Sequence, residues 1–154
     1  MMYRCFLTAL MILMPLCGWS EGQFVSLREA EVNLRTGPGT RFPIDWIYQE
    51  KHYPVEIIDS YDVWRQIRAI DGTTGWIKKS MLSGARYALL TEETSIYAKP
   101  ALSARIIGWA QKDVIGRISK CPERSDFCLL TFETGKGWVQ KNAFWGLNPN
   151  EVID

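Results

Sequence analysis

The chain contains one sequence pattern twice, and this repeat limits its possible folds more than any other feature. Gly75-Trp76 recurs as Gly137-Trp138, 62 residues later. The same spacing places Asn33-Leu34-Arg35 on Ser95-Ile96-Tyr97, Pro38 on Pro100, and Gln49 on Gln111. Because four matches occur in one order without a gap, the sequence predicts a tandem duplication of a unit of about 60 residues.

Each copy consists of short apolar stretches separated by turn residues, which indicates strands rather than helices. In the first copy we expect strands near residues 25–27 with 31–35, 44–48, 55–60, 64–69 and 74–77. In the second copy we expect them near residues 87–90 with 94–97, 104–109, 114–120, 128–133 and 137–139. A short 3₁₀ turn is expected at 78–82. Many short strands with regular turns predict an all-β sandwich or barrel.

The first 20 residues have the pattern of a secretory signal peptide. Arg4 supplies a positive charge, residues 6–16 form an apolar run, and the small residues Gly18 and Ser20 precede a cut before Glu21. The apolar run has roughly ten residues, whereas a bilayer span needs about 20. We therefore expect an exported chain, periplasmic or secreted, with no stable membrane anchor after cleavage.

Two alternatives to a cleaved signal peptide stay open. One is an uncleaved membrane anchor. The other is a lipoprotein modified at Cys17, which is disfavoured because the bulky Leu16 stands where a small residue is expected.

Removal of the signal peptide changes the charge and cysteine content. Without Arg4, 17 of the 18 Lys and Arg residues remain and balance the 17 Asp and Glu residues. A neutral chain without a basic cluster is not suited to nucleic acid. Cys121 and Cys128 remain, and an even number in an oxidising compartment favours a disulfide across the tip of the predicted hairpin.

The stretch from Val32 to Thr40, VNLRTGPGT, combines the end of a strand with a Pro-Gly turn. It resembles the N-(V/L)-R-x-G-P-(G/S)-x signature of bacterial SH3 (SH3b) domains, and Trp64, Gly75-Trp76 and Leu82 follow at matching distances. The second copy is looser, because residues 95–100 lack both the Asn and the Gly-Pro-Gly turn.

The whole chain after residue 20 therefore resembles the tandem SH3b proteins that Gram-negative bacteria export. The resemblance implies two tandem SH3-like small β-barrels, a Cys pair in the second repeat, and binding to cell-wall peptides. The expected organisation is a signal peptide at 1–20, SH3b-like domains at 21–83 and 84–146, and a tail at 147–154. Only residues 84–86 link the copies, so we expect a fixed arrangement. The tail is expected to be loosely ordered or packed as an extended strap.

The residues do not suggest catalysis. A catalytic Cys needs a His partner, and the one histidine, His52, is predicted in a turn of the other repeat. Zinc needs about four ligands, which one His and two Cys do not supply. We expect no enzyme activity, no cofactor and no metal.

Binding must then come from surface aromatic residues and their polar neighbours. Strand alternation predicts that Trp64 points outward near Tyr61, and that Trp46 and Tyr48 share a face. Arg35 is expected to pair with a peptide carboxylate. The candidate binding residues are Arg35, Asp45, Trp46, Tyr48, Tyr61 and Trp64. The alternative is that Trp46 and Trp64 fill the barrel or the interface between copies.

Two functions follow from these candidates. The first is a binder of peptidoglycan stem peptides, with an aromatic groove in the first copy only, because Cys128 is expected at the position of Trp64. The second is an assembly module that docks an envelope protein through a flat patch of Trp46, Tyr48 and Tyr61.

Overall fold

The computed structural model describes residues 22–154, which form two consecutive antiparallel sheets of seven strands each. The prediction of an all-β chain with two tandem SH3-like domains is confirmed. The predicted signal peptide lies outside the described residues. Within residues 22–154, no helix has the length and apolar character needed to cross a membrane.

The first sheet has the strand order β3-β2-β6-β5-β4-β1-β7. Its strands are β1 (Gln23–Leu27), β2 (Val32–Arg35), β3 (Ile44–Tyr48), β4 (Pro54–Tyr61), β5 (Trp64–Arg68), β6 (Thr74–Lys78) and β7 (Leu82–Ser83). A 3₁₀ turn at Lys79–Met81 precedes the last strand. The predicted strands agree with these bounds to within one or two residues, except that the two-residue β7 was not predicted.

The second sheet repeats this order as β10-β9-β13-β12-β11-β8-β14. Its strands are β8 (Tyr87–Leu90), β9 (Thr94–Tyr97), β10 (Ile106–Ala110), β11 (Ile115–Lys120), β12 (Phe127–Phe132), β13 (Gly135–Gln140) and β14 (Phe144–Trp145). A 3₁₀ turn at Lys141–Ala143 occupies the same place as in the first domain. The two copies therefore share one topology as well as one sequence pattern.

Each domain has its own apolar core, which its sheet encloses. The first core includes Leu27, Leu34, Val55, Ile67 and Ile77, none of which is exposed to solvent. These residues come from five different strands, so the sheet must curve around them. The second core is built in the same way, from residues that include Ala88, Leu90, Ile118, Leu130 and Val139.

The repeated Gly-Trp pair marks the place where β6 passes close to β2. Trp76 pairs with Arg35 across these strands. A Cβ atom on Gly75 would overlap the Leu34 side chain and press on the Arg35 carbonyl oxygen. Gly137 has the same surroundings in the second domain. The close approach requires a residue without a side chain, which explains why this glycine occurs in both copies.

The disulfide between Cys121 and Cys128 is present, as predicted, and both cysteines are fully buried. The chain end is held beside it, because Ile153 forms an antiparallel bridge with Cys121. The Glu151 carboxylate accepts hydrogen bonds from the Arg86 guanidinium. Residues 147–154 are therefore packed against the second domain as a strap, which contains one turn closed by the bond from the Glu151 N–H to the Asn148 carbonyl oxygen.

The two domains touch through aromatic pairs. Phe24 meets Trp145 edge to face, with ring centroids 4.9 Å apart. His52 stacks on Tyr87, with centroids 4.3 Å apart and ring planes 8° from parallel. These contacts join the domains in addition to the short linker.

Replacing Gly75 by alanine tests the close approach of β6 and β2. We expect Gly75→Ala to lower the free energy of unfolding by about 1–3 kcal/mol, because the added methyl group overpacks a site bounded by Leu34 and backbone. The matched control is Gly84→Ala, since a Cβ there has no atom within 4 Å and should change stability by less than about 0.5 kcal/mol. Urea unfolding of both variants measures the difference, and equal effects would contradict this explanation.

Candidate functional site

A groove of about 580 Å³ lies in the first domain between β3 and the turn that joins β5 to β6. We call it the β3 groove. Its lining residues include Trp46, Tyr48, Tyr53, Ala69, Asp71 and Thr73, and its rim includes Asp45, Gln49 and Glu50. Three predicted site residues, Asp45, Trp46 and Tyr48, therefore lie together along it.

The position of β3 in the sheet explains why its aromatic residues reach solvent. β3 is an edge strand that pairs only with β2. Trp46 and Tyr48 lie opposite Leu34 and Val32, two buried residues, so both are on the core side of the sheet. Tyr48 is 8% exposed, whereas Trp46 at the margin of the core is 59% exposed. Trp46 therefore does not fill the barrel or the domain interface.

Two tyrosines and a small residue form the deeper part of the groove. The Tyr48 and Tyr53 rings have centroids 5.5 Å apart and are tilted by 31°. Ala69 follows the last residue of β5 and is buried. Its methyl group leaves open the space that a larger side chain would fill.

The second domain lacks the groove residues. Ile67 pairs with Gly75 as Leu130 pairs with Gly137, so Phe132 occupies the position of Ala69. Strand pairing likewise places Gly108 at the position of Trp46 and Ala110 at that of Tyr48. Phe132 packs against the second core. Backbone hydrogen bonds likewise place Val114 at the position of Tyr53. The second domain therefore lacks all three aromatic residues of the groove and has a large ring at the position of Ala69.

The charge of the groove is negative. Asp45, Glu50 and Asp71 are among its lining residues, and none of the described lining residues is Lys or Arg. The backbone N–H of Thr73 donates to the Asp71 carboxylate over 2.9 Å. This bond, together with one from the Thr73 hydroxyl, holds the pKa of Asp71 below its usual value. Asp71 is therefore ionised at neutral pH.

The surroundings in the groove raise the pKa of its two tyrosines. Burial first, and then the neighbouring Tyr53 and Asp71, raise the pKa of Tyr48 to about 12. The pKa of Tyr53 is also raised, chiefly by burial and then by Asp71 and Asp113. Both phenols therefore keep their protons, and remain able to donate hydrogen bonds, throughout the neutral range.

Arg35 lies outside the groove and has a structural role. Its Nη1 donates to the carbonyl oxygens of Thr40 and Phe42, over 3.2 Å and 2.7 Å. The guanidinium group thus holds the Gly-Pro-Gly turn against the end of β2. Contrary to expectation, Arg35 does not stand at the edge of the aromatic groove.

Tyr61 and Trp64 are also separate from the groove. Trp64 opens β5, whereas Ala69 and the groove lie beyond the opposite end of that strand. Trp64 is only 9% exposed and so does not form the floor of an open groove, contrary to expectation. Tyr61 lies opposite Trp64 in the sheet and is 62% exposed. The six predicted residues therefore do not form one site.

The predicted match between Cys128 and Trp64 is one residue out of register. Trp64 pairs with Lys78, and Phe127 pairs with Gln140, at the same point before the 3₁₀ turn. Phe127 is therefore the counterpart of Trp64, and it packs edge-on against Tyr97.

Sequence reasoning missed Tyr53, Ala69, Asp71 and Thr73. Tyr53 belongs to no strand, and the other three lie in a turn that approaches β3 only when the sheet curves. The sequence did contain one signal. The spacing from Trp64 to Trp76 is one residue longer than that from Phe127 to Trp138, which identifies this turn as the place where the copies differ.

Comparisons with known proteins place the first domain in a described family model. Residues 28–84 match the family model described as "Bacterial SH3 domain", and no curated protein matches the chain significantly. Two similar solved structures are those of NlpC2 and NlpC1 from Trichomonas vaginalis, at 16% and 15% identity with TM-scores of 0.37 and 0.38. They cover 84% and 91% of this chain, which spans 49% and 51% of theirs.

Alkaline titration tests the environment of the groove tyrosine. Because the folded state raises the pKa of Tyr48 from 10.0 to about 12, its contribution to stability is fully present below pH 10 and is lost as pH rises through 12. We expect a late-ionising phenolate in the near-ultraviolet difference absorbance, which Tyr48→Phe removes. Tyr61→Phe is the control, because it deletes an exposed phenol outside the groove. If Tyr48→Phe left the late signal intact, the assignment would be wrong.

Proposed function

We propose that the chain is a non-catalytic, exported binding module for peptidoglycan peptides, a role supported by the match of residues 28–84 to the bacterial SH3 domain model. Bacterial SH3 domains typically bind peptidoglycan or proteins. The β3 groove is the observation that carries the proposal. It is a concave site on the first domain, lined by aromatic side chains, and such sites are typical of ligand recognition.

The shape of the groove fits an extended peptide better than a compact ligand. It follows the free edge of β3, where backbone groups have no partner strand. An exposed strand edge can pair with a bound peptide, while pockets beside it receive side chains. Trp46 offers a large ring to such a ligand at little conformational cost, because it has only two rotatable side-chain bonds.

The reactive residues support a binding role rather than catalysis. Cys121 and Cys128 are consumed by their disulfide, and His52 stacks on Tyr87 at the domain interface. Within residues 22–154, neither a thiol nor an imidazole lines the β3 groove. The disulfide is also compatible with export, since such bonds persist in oxidising compartments.

A second candidate function rests on a different surface. The edge strand β10 of the second domain exposes Ile106, Ile107 and Trp109, by 43%, 46% and 66%. A row of apolar side chains on a free strand edge favours docking of another protein. This surface supports an assembly role in the cell envelope.

The first test compares two exposed tryptophans. The purified chain from residue 21 onward is mixed with peptidoglycan sacculi and sedimented, together with Trp46→Ala and Trp109→Ala. The two side chains are similarly exposed, at 59% and 66%, so neither change should affect folding much. We expect the wild type and Trp109→Ala to be retained and Trp46→Ala to be lost, because only Trp46 lines the groove.

Other results would redirect the assignment. Retention of all three proteins would place wall binding outside the β3 groove. Loss with Trp109→Ala alone would move the site to β10. If the wild type were not retained, peptidoglycan binding would be rejected and the assembly role favoured.

A further inference from the structure

The Tyr48 hydroxyl is a polar group that the fold has almost buried but not satisfied. Tyr48 is 8% exposed and belongs to the first core. Its hydroxyl group makes no hydrogen bond to the protein among residues 22–154, and it is not one of the sealed buried polar atoms, so it reaches open space. The remaining opening is the β3 groove, which Tyr48 lines. Polar groups in such positions are nearly always paired with protein or water, so this hydroxyl is free to bond a ligand atom that enters the groove.

The charges around the groove restrict what that ligand atom is. Asp45, Glu50 and Asp71 contribute three carboxylates, and the described lining residues include no cation to balance them. A ligand carboxylate would be repelled by this field, whereas an ammonium group would be attracted. Arg35, the arginine expected to meet a carboxylate, is held by the carbonyl oxygens of Thr40 and Phe42. Recognition of a peptide carboxylate by Arg35 therefore does not apply to this groove.

The aromatic rings favour the same kind of ligand. Trp46, Tyr48 and Tyr53 all line the groove beside the acidic rim. A cation above an aromatic face is stabilised by the negative charge of the ring, and tryptophan is the best partner. Aromatic faces and carboxylates thus act together on a positive group, while a neutral or negative group gains little from either.

We propose that the β3 groove binds a primary ammonium group, with the Tyr48 hydroxyl and the Asp71 carboxylate as its recognition elements and Asp45 as a further negative charge at the rim. This inference rests on the proposed function for its biological ligand, which is the free amine of a stem peptide that has not been cross-linked. The groove then distinguishes uncross-linked peptides, which keep the amine, from cross-linked ones, in which the amine is an amide.

Small ions test the chemical preference without any cell-wall material. The chain is titrated with butylammonium and, separately, with butyrate, and amide and indole chemical shifts are followed by NMR. We expect butylammonium to shift the Trp46 indole signal and the amides of residues 45–50 and 69–73, and butyrate to leave them unchanged. Equal responses to the two ions, or no response to butylammonium, would overturn the proposal.

Two double variants that each remove two negative charges test whether the groove carboxylates bind the ammonium group. Asp45→Asn with Asp71→Asn removes two groove charges and keeps an oxygen that accepts the Thr73 N–H. The control is Glu92→Gln with Glu93→Gln, which removes two exposed charges from the second domain. At low salt we expect the groove variant to bind butylammonium about tenfold more weakly and the control to match the wild type. Equal weakening in both variants would indicate a general charge effect and contradict a specific site.

Chemically modified sacculi test whether the preference for an ammonium group applies to binding of the cell wall. One sample has its free amines acetylated, and another has its carboxylates converted to methylamides. The proposal predicts loss of retention on the first and full retention on the second. Retention on acetylated sacculi would reject amine recognition while leaving wall binding intact. Failure to bind unmodified sacculi, with a positive butylammonium titration, would reject the wall ligand and leave the ammonium site.

Discussion

Both domains depend on one close contact between backbones. Where β6 meets β2, Gly75 leaves just enough room for Leu34 and for the carbonyl oxygen of Arg35. This contact lets the sheet curve until residues from distant strands share one core. The same contact occurs at Gly137 in the second domain. Because a barrel of this size has a small apolar core, the packing at this glycine determines whether the sheet closes.

Once the barrel is closed, small differences at its edge decide which copy has a site. Ala69 and Phe132 occupy equivalent positions, yet one leaves a space beside the edge strand and the other fills it. In the second domain Gly108 stands at the position of Trp46 and Ala110 at that of Tyr48, which also removes rings that line the groove. The second domain is stabilised by Phe132 in its core, by its buried disulfide and by the bridge to Ile153. The division of roles therefore follows from packing rather than from topology.

The charged residues give the groove a polar end, which its aromatic residues alone would not provide. Tyr48 has a raised pKa because it is buried, and then because Tyr53 and Asp71 are close. The hydroxyl and the acidic rim together form a polar end on an otherwise apolar surface. Arg35 is excluded from that end because it holds the turn between β2 and β3. Its role in the first domain is thus to hold the Gly-Pro-Gly turn of the signature motif.

The sequence by itself determined the number of domains, nearly every strand, and the disulfide. These features rest on local rules, namely alternation, turn residues, and the spacing of the two Gly-Trp pairs, which need no knowledge of distant contacts. Sequence reasoning also selected Asp45, Trp46 and Tyr48. Only the tertiary structure separated Arg35, Tyr61 and Trp64 from them and added Tyr53, Ala69 and Asp71. The reason is physical: a groove between an edge strand and a turn exists only after the sheet has curved, and its members are not neighbours along the chain.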